Sequence, residues 1–209
     1  AYLSQNEQLI PSMRGGLFLE MLGLDSPHAL QMSYAGDTRF DRCLRLVLAE
    51  RDAEAWTAPY RKVIENDERQ FNGPGVRVPM LSLSRVLKKS TGQWPYPQYH
   101  TSHDDPDTLA PGRLDESVDL VMAMIEAWES NYVIENRFKG EVFLSRYGLY
   151  RDPMTDPEHG GPLMDVMHEM DGTQTVADIA KKLDVPFSVV LEIARDFESH
   201  SLVEFGRPG

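Results

Sequence analysis

With 209 residues, 41% of them hydrophobic and 26% charged, the chain has the composition of a globular protein with room for one ordinary domain and a small second one. A net charge of −12 argues against a nucleic-acid partner, because gripping phosphates needs a concentrated basic face. No apolar run approaches the roughly 18 residues that a membrane helix needs. The single Cys43 rules out an internal disulfide, fits a reducing, cytoplasmic compartment and leaves His and carboxylates as the donors for any metal.

Residues 1–10 read as the tail of a helix closed by Pro11. After a Gly15-Gly16 turn, residues 17–22 read as a buried strand whose apolar run is broken only by Glu20. A second short strand is expected over 30–34. Asp37 and Thr38 then cap a helix over 39–54, with Phe40, Cys43, Leu44, Val47 and Leu48 on one face. Further strands are expected at 61–64 and 76–83, the latter mostly apolar and so buried, although Pro79 argues for an edge or a bulge at that point. Residues 92–112, with four prolines and several aromatics, form a long irregular loop of the kind that often carries function. A long amphipathic helix follows over 114–134, with Val118, Val121, Ile125 and Trp128 turned inward. This alternation predicts an α/β domain with a mixed, mostly parallel sheet flanked by helices.

The Pro- and Gly-rich segment 152–162 reads as a linker, which divides the chain into residues 1–150 and 151–209. Beyond it, helical patterns at 163–170, 176–183 and 187–199 and a short strand at 202–205 outline a C-terminal winged helix-turn-helix. Thr175 and Asp178 form a capping box and Pro186 suits a first helical turn. Leu163, Val166, Ile179, Leu183, Val190, Ile193 and Phe197 form its core. Residues 151–209 hold 5 Lys and Arg against 12 Asp and Glu, and the last helix exposes Glu192, Asp196 and Glu198. A DNA groove repels such a surface, so packing or homo-oligomerisation is the expected use of this domain.

The candidate site residues fall in one region. Glu20 interrupts an apolar strand, where a carboxylate is costly unless paired, solvated or bound to a cation. It is either a strand-end Glu in water or in a salt bridge, or a metal ligand. Asp67-Glu68-Arg69 is a local ion-pair cluster or a substrate contact, with Arg69 able to clamp a carboxylate. His100 opens a His-Thr-x-x-Asp turn in which Thr101, Ser102 and Asp104 could orient the imidazole, while His103 and Asp105 are expected in solvent. An acidic loop, a buried strand and this turn, in that order, suit a zinc peptidase whose chemistry sits beyond the strand ends of a parallel sheet.

Several of these segments carry a resemblance: Tyr2-Leu-Ser-Gln-Asn6, Arg14-Gly-Gly-Leu-Phe-Leu-Glu20, Gly36-Asp37 with Asp41-Arg42, Asp67-Glu-Arg-Gln-Phe71, Tyr96-Pro-Gln-Tyr-His-Thr-Ser102 and Tyr147-Gly-Leu-Tyr150. The chain resembles bacterial aminopeptidase-like proteins, often encoded near polysaccharide-biosynthesis genes, that join a zinc exopeptidase domain to a winged helix. The resemblance implies a metal-dependent aminopeptidase, in which zinc polarises the peptide carbonyl and activates water. It further implies that Glu20 and His100 are metal ligands and that Asp67, Glu68, Arg69, Tyr99 and Asp104 meet a peptide or aminoacyl substrate. Glu68 stands where many relatives have His. The resemblance places the general base and the remaining ligands upstream, so none of the catalytic residues is expected in this chain. Two ligands alone do not make a three-ligand zinc site. A non-catalytic binding or scaffolding protein of peptidase-like shape is the alternative.

Overall fold

The computed structural model describes residues 2–207. They form two compact units that divide between Met124 and Ile125, whereas the composition of the chain suggested a boundary at 150.

The first unit opens with a short helix, α1 (Tyr2–Gln5), and a 3-10 turn, Glu7–Ser12, that contains Pro11 rather than ending before it. Its sheet is built from β1 (Gly16–Glu20), β2 (His28–Gln31), β3 (Trp56–Ala58) and β4 (Met80–Arg85) in the order β1-β4-β2-β3. β1 runs parallel to β4 and β2 parallel to β3, while β2 and β4 are antiparallel. Helix α2 (Arg39–Arg51) follows β2 and starts at the expected place. Thr38 and Asp41 close a capping box, and Phe40, Cys43, Leu44, Val47 and Leu48 are all buried. A one-turn helix, α3 (Glu68–Asn72), precedes β4. Helix α4 (Arg113–Glu129) follows the long loop and crosses the division between the units.

Four expectations need correction. β1 is an edge strand and not a buried one, with Leu19 44% exposed. The strand expected at 61–64 is absent. Arg61 takes a left-handed conformation (φ 62°), and the buried Val63 and Ile64 give their N–H groups to Gln31 Oε1 (3.0 and 3.2 Å) instead of to a ladder. Pro79 does not place β4 at an edge, because β4 is central and begins just after the proline, whose carbonyl accepts from Gly16 N–H (2.9 Å).

The phase of α4 also differs. Val118 and Ile125 are 52% and 46% exposed, and the inward face is Ser117, Leu120, Met124 and Ala127. Ser117 is fully buried against His28 and Arg85, so a polar residue occupies a position that hydrophobic periodicity reads as outward. The helix also stops five residues before the expected end at 134, because Val133 and Ile134 enter a strand.

That strand, β5 (Val133–Asn136), lies in the second unit between β6 (Asp171–Thr175) and β7 (Val203–Gly206), antiparallel to both. Helices α5 (Pro157–Gly160), α6 (Leu163–Glu169), α7 (Val176–Leu183) and α8 (Phe187–Ser199) complete a winged helix. The expected core is buried except for Leu183, which is half-buried. The segment read as a linker is ordered within this unit: Asp156 caps α5, and Arg151 reaches both Asp156 and Asp196. β5 and β6 escaped the sequence analysis because both are short, β5 half-polar and β6 without a hydrophobic side chain. No helix among the described residues is long and apolar enough to cross a membrane.

Thr175 Oγ1 accepts from Asp178 N–H (3.2 Å), and Asp178 in turn accepts from Thr175 N–H (3.2 Å). Thr175→Ala is expected to lower the stability of the second unit by about 1 kcal/mol, read from its denaturant midpoint with the slope unchanged.

Candidate functional site

The pleat of the sheet decides which side chains share a surface. Because Glu20 is in register with Ser84, and Gln31 with Ser82, the side chains of Glu20, Ser82, Ser84 and Gln31 lie on one face of the sheet. Ser82, Ser84 and Gln31 are fully buried. Polar side chains buried together on a sheet need partners, and Gln31 and Glu20 find theirs in the segment 63–68.

Gln31 holds that segment from below. Its Oε1 accepts from the N–H groups of Val63 and Ile64, and its Nε2 donates to Glu68 Oε1 (3.3 Å). Glu68 Oε2 accepts from Asn66 N–H (2.8 Å). Asn66 Nδ2 then donates to Glu20 Oε2 (2.9 Å), and Ser82 Oγ reaches Glu20 Oε1 (3.5 Å). The chain Gln31–Glu68–Asn66–Glu20 thus ties the carboxyl end of β2 to the carboxyl end of β1. Ser84 Oγ is buried and has no hydrogen-bond partner.

Both carboxylates on this chain are held by neutral donors. Burial pushes the Glu20 carboxyl above its usual range, Asn66 opposes that shift, and the nearby Glu68 charge adds to it. Burial likewise raises Glu68 against the donors from Asn66 and Gln31. The Arg69 charge also opposes the rise at Glu68, while the hydrogen bonds of Glu20 come from the neutral Asn66 and Ser82. Arg69 Nε is engaged by the carbonyl of Asn66 (2.9 Å), and its guanidinium lies 3.9 Å from Glu65. Asp67 and Arg69 are exposed and line a separate groove of about 940 Å³ together with Tyr2, Ile10, Phe71 and Pro74.

The other predicted residues lie in the 92–112 loop. His100 is exposed, in a left-handed conformation (φ 59°), and its ring stacks flat on Tyr99 at 3.8 Å. Tyr99 also meets Tyr96 edge-on at 5.5 Å. Asp104 accepts from the Tyr96 hydroxyl (2.7 Å); burial, and after it this hydrogen bond, push that phenol up to about 12, and Thr101 Oγ1 donates to Gln98 O (2.8 Å). The hydrogen bonds of Asp104 and Thr101 thus brace the loop. Among the described residues no three His, Cys, Asp or Glu side chains form a group that could hold a metal ion. Glu20 and Glu68 with their amide partners do not by themselves fit a zinc centre.

Sequence reasoning missed Gln31, Asn66 and Ser82. The alternation of Ser82 and Ser84 in an otherwise apolar strand was the available signal for a polar sheet face. It also missed a buried node on the opposite face. His28 Nδ1 lies 2.7 Å from Asp52 Oδ2 and His28 Nε2 lies 2.9 Å from Ser117 Oγ. Arg85 donates to Ser117 Oγ (3.0 Å), to Ser26 O (2.8 Å) and to Glu116 (2.6 Å). Burial holds the His28 imidazole below its usual range against the pull of Asp52. An acid–base–hydroxyl order of this sort is shared with nucleophilic triads. Here the hydroxyl is fully buried and also within 2.9 Å of Leu22 O and Arg113 O, so the node fastens α4 to the sheet.

The raised carboxyl of Glu20 makes a pH prediction. As pH rises, the unfolded chain ionises at the ordinary value while the folded protein resists, so wild type loses stability across that window. Glu20→Gln removes this loss. Its Tm relative to wild type is expected to be higher at pH 7 than at pH 4, as measured by calorimetry at both values.

Comparison with known proteins agrees with this architecture. A Clostridium acetobutylicum protein, provisionally named as a polysaccharide biosynthesis protein with an aminopeptidase-like domain, is 27% identical over 190 residues, covering 89% of this chain and 42% of that protein. The crystal structure of a provisionally named peptidase from Clostridium acetobutylicum superposes with a TM-score of 0.83 at 24% identity, over 98% of this chain and 45% of the other. The chain therefore spans less than half the length of both relatives, and the structural likeness speaks for the fold. Residues 132–205 match a winged helix-turn-helix family. Residues 1–131 match the family described as a domain of unknown function (DUF4910), and this chain belongs to that family.

Proposed function

We propose that the chain contributes the Glu20 side of the substrate cleft in an aminopeptidase-like hydrolase acting on peptides or aminoacyl amides. The observation that carries this reading is the pair of desolvated carboxylates, Glu20 and Glu68, held only by neutral amide and hydroxyl donors at the strand ends. Such a pair attracts the free ammonium of a substrate, and burial makes each carboxyl hold its proton more readily than in water. Glu20 is the member that meets substrate. It is only part-buried, whereas Glu68 is fully enclosed and positions Asn66. The aminopeptidase-like name of the longer relative supports the reading.

Zinc dependence is the finer form of the proposal, in which Glu20 ligates the metal together with His100 and does not itself receive the ammonium; the general base is proposed to lie upstream, where the resemblance puts it. The winged helix is proposed as a packing or self-association module that binds no nucleic acid. Part of its acidic surface is already neutralised within the unit, Asp196 by Arg151 and Glu192 by His159 (3.0 Å).

A non-catalytic binding protein is the second reading, favoured by the lack of a three-donor metal group among the described residues. Turnover of aminoacyl 4-nitroanilides by the native polypeptide separates the two. Under the hydrolase reading, Glu20→Gln is expected to lower kcat/KM by about 10²-fold or more, and N-acetylated substrates are expected to be refused. Undiminished turnover by Glu20→Gln would remove the residue from the site. Tight binding of amino acids without turnover by wild type would favour the second reading.

A further inference from the structure

A cavity of about 460 Å³ opens on the face of the sheet opposite Glu20, between the end of α2, the segment 25–27 and the start of α4. Small-molecule sites typically run from about 300 to about 1,000 Å³, so the size suits a compact ligand. Its floor is the node of His28 and Arg85. Both side chains are buried and already hydrogen-bonded to protein groups, so the floor is rigid and self-sufficient.

Other groups around the cavity are not satisfied. The side chains of Arg51, Glu54 and Asp119 line it, are exposed and have no hydrogen-bond or ion-pair partner among the described residues. Ser26 lines it too. Its carbonyl accepts from Arg85 (2.8 Å), and it is only 8% exposed, yet its hydroxyl has no partner among the described residues. A hydroxyl so withdrawn from bulk water normally has a partner, and the cavity is where one can sit. Single exposed charges are ordinary surface. Their convergence on one cavity, beside a buried hydroxyl without a partner, singles these out.

We propose that this cavity binds a free basic α-amino acid. The ligand carboxylate meets the Arg51 guanidinium, its two cationic groups meet Glu54 and Asp119, and one of its polar atoms reaches the Ser26 hydroxyl. The charge count selects this class. The unpartnered groups are one cation and two carboxylates, and a basic amino acid carries the complement, one carboxylate and two cations. A neutral zwitterion leaves one protein carboxylate without a counter-charge, and a diamine leaves Arg51 without one. A guanidinium also grips a carboxylate through two parallel hydrogen bonds. A bare divalent cation fits less well, because no three acidic or imidazole side chains among the described residues form a group that could hold it. The inference stands apart from the peptidase reading, since it uses neither Glu20 nor Glu68.

Calorimetric titration of the native polypeptide with free L-lysine, at pH 7 and low ionic strength, tests it. Wild type and Glu20→Gln are titrated side by side, because Glu20→Gln removes the carboxylate of the substrate cleft. Saturable binding with a Kd of about 1 mM or tighter is expected in both. L-Alanine, which lacks the second cation, and 1,5-diaminopentane, which lacks the carboxylate, are each expected to bind about tenfold more weakly or worse. Arg51→Ala and Asp119→Asn alter exposed side chains and leave the fold intact, and each is expected to weaken lysine binding by about tenfold or more. No saturable binding at about 10 mM lysine would overturn the proposal. Equal affinity for the three ligands, or an affinity untouched by Arg51→Ala and Asp119→Asn, would also overturn it. Binding present in wild type and lost in Glu20→Gln would place the ligand in the substrate cleft and sink this site alone.

Discussion

The first unit depends on how Gln31 is satisfied. It is fully buried at the end of a strand, and a buried primary amide without partners costs several times what its hydrogen bonds return. Its carbonyl takes two backbone N–H groups from Val63 and Ile64, and its amide takes the Glu68 carboxylate. Those three bonds set the path of residues 63–68, which places Asn66 over the end of β1 and so fixes Glu20. One buried side chain thus converts sheet register into the position of the Glu20 carboxylate.

The two faces of the sheet divide the labour. On one, the Gln31–Glu68–Asn66–Glu20 chain holds two carboxylates through neutral hydrogen-bond donors, with the Arg69 charge bearing on Glu68. On the other, His28, Asp52, Ser117, Arg85 and Glu116 satisfy one another almost completely. The second arrangement locks α4 in place. The contrast in satisfaction, more than the presence of charges, separates the candidate site from the scaffold.

Much of the fold was legible in the sequence where one signal dominated. The capping boxes at Thr38 and Thr175 and the 3.6-residue periodicity of α2, α7 and α8 located those helices to within a few residues. What failed were segments in which tertiary hydrogen bonds replaced local ones. Val63 and Ile64 look like a strand because they are apolar, yet their amides serve Gln31. Ser117 reads as solvent-facing because it is polar, yet it is enclosed by His28 and Arg85. The site was half-legible for the same reason. Glu20 stands out as a charge in an apolar run, while Gln31 and Asn66 matter only through contacts 32 to 46 residues away in sequence.

The central claim is that Glu20, positioned through Asn66, receives the amino group of a substrate. A crystal structure of the native polypeptide grown with a free α-amino acid tests it most directly. The account predicts the ligand ammonium within hydrogen-bonding distance of the Glu20 carboxylate, with Asn66 still donating to its other oxygen. An amino acid bound elsewhere, with Glu20 still closed on Asn66 and Ser82 alone, would contradict it.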